Sequence, residues 1–281
     1  MVNRIHHSGV VVRSREEAYA FFRDTLGLTL LKEALLDDQG VKAALLDLGN
    51  SLLELLEPVD PDTGIGRYLE RRGEGLHHVC LEVADIEATL TDLKAKGVPL
   101  VDQEPREGMV GSIAFLHPSA LHGVLVELVQ APGFSPTRRD GSRVLRLDHI
   151  VLAVQDSEPA ISAWAETFGL PAEASIRPEG THMELTFLPL SGPDGLGAFL
   201  ELVQPTTEDH RVARHIAEQG EGMFSISLQV DGLDATVREL RAKGATVSDP
   251  EAGVLPSSRI ARIPRDSAHG VAVQLIERDR S

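Results

Sequence analysis

Four side chains of this chain have the types and spacing to hold a metal ion: His7, Glu54, His78 and Glu127. The two histidines open matching stretches, in which a valine follows five residues later, at His7 to Val12 and at His78 to Val83. The two acids interrupt apolar runs, Glu54 within Leu52-Leu53-Glu54-Leu55-Leu56 and Glu127 within Val124-Leu125-Val126-Glu127-Leu128-Val129. A strand that is apolar on both faces is covered on both faces, so a carboxylate in it loses its water and needs a partner. A cation is the economical one. Two imidazoles and two carboxylates suit an octahedral divalent ion that keeps two positions for water or substrate, so cobalt, manganese, nickel, zinc or iron(II) is expected.

Other histidines are expected to be structural. His6 and His77 fall on the opposite pleat face from their neighbours, because side chains alternate along a strand. His117, His122, His182, His210 and His215 fall in loops or connectors. Cys80 shares the side of His78 and is expected to be a small apolar filler.

The elements that must position these residues are read from the stretch Gly75 to Val83. Here Val79, Leu81 and Val83 face one way, and His78, Cys80 and Glu82 the other. The same frame recurs at His149 to Val154, and at Gly222 to Val230 with Ser225 in place of the histidine. Around it runs one order of elements: strand, helix, three strands. The first helix starts at Ser14, with Glu17 in capping-box position, and runs past Phe22 to Leu26 with Gly27 beyond. Leu28 to Leu36, Val41 to Leu48 and Ser51 to Glu57 read as the three strands. Leu93 to Gly97 matches Leu240 to Gly244, and His122-Gly123 matches His269-Gly270, both at an offset of 147. The chain is a duplication, with four repeated units. Ala131 to Ser142 has linker composition, so the expected domains are residues 1–133 and 144–281.

A net charge of −16 over 281 residues argues against nucleic acid or an anionic membrane as partner, since both need a basic face. The single cysteine excludes an intrachain disulfide. With no opening apolar signal segment and no run long enough to span a bilayer, the cytoplasm is the expected address.

The module order, with ligands on first and last strands, resembles the vicinal-oxygen-chelate superfamily of glyoxalases and dioxygenases over nearly the whole chain. That resemblance implies an α+β fold of four βαβββ modules in two tandem domains. Within the first half, Leu48 to Pro58, Gly75 to Val83, Phe115 to Pro118 and Gly123 to Leu128 resemble the methylmalonyl-CoA epimerase family. The resemblance implies that His7, Glu54, His78 and Glu127 bind the metal, that Glu127 also serves as one catalytic base, and that the substrate is a 2-substituted malonyl-CoA thioester. Removing a proton alpha to a thioester carbonyl leaves negative charge on its oxygen, which a divalent ion stabilises. Two positions depart from the family pattern: Ala43 stands where a second acid is common, and Ser119 where a lysine is usual.

The second half retains His149 and Glu201 but carries Ser225 and Gln274 at the other two places, and glutamine has no proton-accepting form comparable to carboxylate. It is expected to be a structural partner, making the chain an intrachain pseudo-dimer with further homodimerisation open. An acyl-CoA partner is polyanionic, and Arg67, Arg71, Arg72, Lys94, Lys96 and Arg106 are candidates by location for its phosphates. Competing readings are a glyoxalase-type isomerase acting on a thiol hemithioacetal, and a non-enzymatic protein that binds a small molecule in the same cleft. An extradiol dioxygenase is disfavoured, because its ligands belong to the later half and here that half is depleted.

Overall fold

The computed structural model describes residues 2–37, 39–131, 142–190, 197–255 and 257–278. The interior of the proposed linker, 132–141, lies outside the described residues. In the first half, β1 (Val2–Val11) leads to α1 (Arg15–Tyr19) and then to β2 (Thr29–Leu36), β3 (Val41–Asp47) and β4 (Leu52–Pro58). After α2 (Gly64–Arg72) the order restarts with β5 (Gly75–Val83), α3 (Ile86–Ala95), β6 (Arg106–Glu107), β7 (Ser112–Leu116) and β8 (Val126–Gln130). The second half repeats this with β9 (Val144–Ala153), α4 (Ser157–Phe168), β10 (Ala174–Ile176), β11 (Met183–Pro189), β12 (Phe199–Pro205) and α5 (Arg211–Gln219). It closes with β13 (Gly222–Val230), α6 (Leu233–Ala242), β14 (Glu251–Ala252), β15 (Ser258–Ile263) and β16 (Ala272–Arg278).

The strands form two eight-stranded mixed sheets of the same topology, ordered β2, β3, β4, β1, β5, β8, β7, β6 and β10, β11, β12, β9, β13, β16, β15, β14. Each sheet is thus two copies of one module joined through their first strands. The central strands are buried on both faces: in β5 every residue from His78 to Leu81 is enclosed. The register repeats as well, with Cys80 opposite Glu127 in the parallel pair β5/β8 and Ser227 opposite Gln274 in β13/β16.

Local chemistry accounts for the helix ends. The side chains of Ser14, Thr63, Asp85 and Asp156 each accept a backbone N–H of the first turn, satisfying donors that have no partner inside the helix. The first helix differs from the sequence expectation. Its α-helical part ends at Tyr19, and Ala20–Thr25 continues as a wider π turn, in which the N–H of Leu26 reaches the carbonyl of Phe21. The wider turn lets the successive rings Phe21 and Phe22 both enter the core.

The contacts of the backbone group the chain into two compact units, Met1–Ser8 with His77–Phe134 and His149–Phe224, and Gly9–Leu76 with Ser135–Asp148 and Ser225–Ser281. Each unit draws on both halves of the sequence. In the first, His122 Nδ1 lies 3.1 Å from a Glu221 carboxylate oxygen, and a side chain on Gly123, at φ +79°, would collide with the Glu221 carbonyl. In the second, the repeat-equivalent pair is His269 with Glu74, also at 3.1 Å. That explains the matching His-Gly dipeptides: each makes a close approach to the turn before a first strand. No helix among the described residues is long and apolar enough to cross a membrane.

Candidate metal centre

Strand β1 carries His7, β5 carries His78, β8 carries Glu127 and β4 carries Glu54, and all four are buried, at 2, 2, 5 and 6% exposure. His7, His78 and Glu127 belong to one compact unit, in which one ligand atom from each lies within 4.8 Å of the other two. His7 Nε2 and His78 Nε2 are 3.0 Å apart, and Glu127 Oε2 lies 3.1 Å from His78 Nε2 and 3.5 Å from His7 Nε2.

Those separations suit a divalent ion. With metal–nitrogen bonds of about 2.1 Å, adjacent ligands of an octahedral ion sit roughly 3.0 Å apart. The donor set fits chemically too, because imidazole nitrogens and carboxylate oxygens are the ligands such divalent ions take.

Burial by itself would push the Glu127 carboxyl up, but the charge of His7 and hydrogen bonds from His7 and His78 outweigh it and hold it well below the usual range. Glu127 is therefore a carboxylate at neutral pH. Burial, with His7 and Arg4 nearby, holds His6 down to about 3. Burial and the adjacent His78 hold His77 down to about 3 as well, although the residue as a whole is only half-buried. Both outer rings are neutral near pH 7.

Pleat alternation predicts that His6 and His77 lie away from the centre, and the structure differs. His6 Nδ1 sits 2.9 Å from His7 Nδ1, and His77 Nδ1 sits 3.0 Å from His78 Nδ1. The backbone pleat does separate the members of each pair, but rotation of the rings brings their Nδ1 atoms together. The doubled histidines at 6–7 and 77–78 were the available signal. Cys80 is buried with Ile113, Val129 and Ala131, and its sulfur also lies within 4.8 Å of ring nitrogens of His6 and His7. Phe115, opposite Glu127 in the β7/β8 pair, meets the His78 ring edge to face at 5.6 Å, and the Arg106 guanidinium lies 5.5 Å above Phe115.

The other basic candidates are exposed, and two of them have contacts within the protein. Arg67 reaches the Asp62 carbonyl, and Lys96 pairs with Asp92 and donates to the Thr167 carbonyl. Arg71, Arg72 and Lys94 are exposed.

In the second half, His149 Nε2 lies 3.6 Å from a Glu201 oxygen, and the imidazole stacks on Phe199 at 4.8 Å. The Gln274 amide donates to the Ser227 hydroxyl at 3.1 Å. Among the described residues, no cluster of histidine, cysteine or acidic ligands includes His149 or Glu201.

A family model for the glyoxalase/bleomycin resistance protein/dioxygenase superfamily matches twice, over residues 6–115 and 148–261. The chain belongs to this superfamily. Its two tandem domains and their α+β fold are those of the superfamily, whose enzymes use divalent metals. The solved structure of a mutant of 4-hydroxymandelate synthase from Streptomyces coelicolor superposes with a TM-score of 0.77 at 19% identity, covering 100% of this chain and 94% of that one, and so shares the fold. The first half also matches curated relatives. It is 39% identical over 132 residues to methylmalonyl-CoA epimerase, mitochondrial, of Bos taurus, covering 46% of this chain and 75% of that protein. It is 37% identical over 133 residues to ethylmalonyl-CoA/methylmalonyl-CoA epimerase of Cereibacter sphaeroides, covering 46% of this chain and 99% of that protein.

Proposed function

We propose that this chain is a metal-dependent epimerase of 2-substituted malonyl-CoA thioesters, with one working centre, in its first half. The observation that carries the reading is the meeting of His7 Nε2, His78 Nε2 and a Glu127 oxygen within 3.5 Å of one another in a buried place. Glu54, the acid that interrupts the apolar run of β4, would complete the ligand set. The likeness of the same half to malonyl-thioester epimerases supports the substrate class.

A divalent ion held there supplies Lewis-acid stabilisation for the negative charge that grows on the thioester oxygen as the alpha proton leaves. Glu127, held as a carboxylate, begins each cycle able to accept that proton. Its low basicity means that the acidity of the carbon has to be raised by the centre rather than by the base. The enclosed strands exclude bulk water from the exchange. Ala43 and Leu45, the latter directly opposite Glu54 in the β3/β4 pair, are buried and apolar, so neither can serve as the second acid. The proton that returns on the opposite face therefore comes from a source other than residue 43.

The deciding experiment follows the alpha proton of methylmalonyl-CoA in deuterated water with the metal-loaded full chain. Exchange at that carbon is expected. Retention of the proton under the same loading would sink the epimerase reading. Turnover of a methylglyoxal–glutathione hemithioacetal without thioester exchange would instead identify a glyoxalase-type isomerase. Metal-independent binding of a small molecule, with neither reaction, would leave a binding protein.

A further inference from the structure

Two histidines that the proposed reaction does not use stand directly behind two that it does. The contacts are the same at both places: Nδ1 to Nδ1 at 2.9 Å for His6 and His7, and at 3.0 Å for His77 and His78. The rings in each pair stand nearly perpendicular, at 77° and 85°, with centroids 5.2 and 5.3 Å apart.

We propose that His6 and His77 are outer-sphere positioning residues, each accepting at its Nδ1 the Nδ1–H of the following histidine and so holding that ring with its Nε2 lone pair toward the His7, His78 and Glu127 centre. This rests on the metal reading above. A neutral imidazole carries one N–H. If Nε2 of His7 is to offer a lone pair, its proton sits on Nδ1, and the acceptor within reach is Nδ1 of His6. The proton of His6 then sits on its own Nε2, and the same count applies at His77 and His78. An acceptor behind a ligating imidazole fixes its tautomer and orientation and raises its basicity.

The duplicated half gives an independent reason. Asp148 precedes His149 there and is held by Arg278 at 2.7 Å, while Phe224 precedes Ser225 and packs against His215 and Arg211. The outer histidines thus occur where the ligand set is complete and are missing where it is depleted. His6 has one competing use. With His7 and Cys80 it offers ligand atoms within 4.8 Å of one another, which suggests a second ion bridged through His7. That arrangement would strip both protons from the His7 ring and leave an anion in a buried place.

The test uses the full chain labelled with nitrogen-15 at histidine and titrated with zinc. In the wild-type zinc form, His7 and His78 are expected as Nδ1–H tautomers with the metal on Nε2, and His6 and His77 as Nε2–H tautomers. Chelator competition is expected to show zinc affinity about 10- to 100-fold weaker in His6→Phe and His77→Phe. His77→Asn, whose side-chain carbonyl can accept, is expected to recover much of the loss. Nδ1–H signals on His6 and His77 of the zinc form would overturn the proposal, and this readout needs no variant to fold. Zinc affinities within twofold of wild type in both phenylalanine variants would overturn it too. So would two zinc ions per wild-type chain falling to one in His6→Asn. If wild type binds no zinc, the metal reading falls and takes this inference with it; if wild type binds and the variants match it, only the positioning role is lost.

Discussion

His7 Nε2 and His78 Nε2 lie 3.0 Å apart although the residues are 71 positions apart in the chain. They come from the first strands of two modules, and those strands, β1 and β5, are neighbours in the sheet. Joining the modules there places two equivalent imidazoles side by side, so one duplicated residue supplies half of the proposed ligand set.

Removing either ring should empty the centre. The wild-type chain is expected to retain stoichiometric divalent metal after dialysis, measured by elemental analysis, and His7→Ala or His78→Ala to abolish it. Undiminished metal in either folded variant would mean that the ion sits elsewhere.

Glu127→Gln keeps an oxygen near the two histidines but cannot take a proton at neutral pH. Exchange of the thioester alpha proton should fall about 10²- to 10⁴-fold, the usual contribution of a positioned base. Metal content measured on the same sample separates loss of the base from loss of the ion.

The second half should regain a centre when its two departures are reversed. S225H with Q274E restores to the second half the residue types of His78 and Glu127, in a sequence that already retains His149 and Glu201. The expected outcome is two ions per chain where wild type holds one. Ser225 is buried, so the larger ring costs about 1–3 kcal/mol of stability, which thermal unfolding of S225H alone would register.

Glu221 holds its unit together at two points, facing His122 Nδ1 and accepting the backbone N–H of Gln155 at 2.7 Å. Glu221→Ala is expected to lower unfolding free energy by about 1–2 kcal/mol, since hydrogen bonds to a charged group are lost. Denaturant unfolding of the variant against wild type measures it. Glu74, which faces His269 and accepts the N–H of Arg13, should behave alike in the other unit.

Glu57 makes a pH-dependent contribution. Burial raises its pKa, but the Arg15 backbone N–H and the Lys42 ammonium at 2.7 Å more than offset this, leaving the group below its ordinary value. A carboxyl depressed on folding stabilises above its unfolded pKa and loses that contribution as the pH falls through the folded value. Glu57→Gln should therefore cost roughly 0.5–1 kcal/mol at pH 7, with a gap that narrows below about pH 4. A gap independent of pH would contradict the assignment.

The repeat, the order of elements along the chain and the helix starts at Ser14 and Asp85 are legible in the sequence because they depend on neighbours in sequence. Alternation along β5, the caps at Ser14 and Asp85, and the offset of 147 need no tertiary information. Glu54 and Glu127 stood out for a similar reason, being acids in runs too apolar to face water. What only the folded chain decided depends on ring rotation and on partners far apart in sequence. Pleat alternation puts His6 opposite His7 and His77 opposite His78, so nothing in the residue order says that their Nδ1 atoms meet. His122 finds Glu221 and His269 finds Glu74 across 99 and 195 positions. The backbone period fixes which way a side chain leaves its strand, and packing of distant segments then fixes where its polar atoms end.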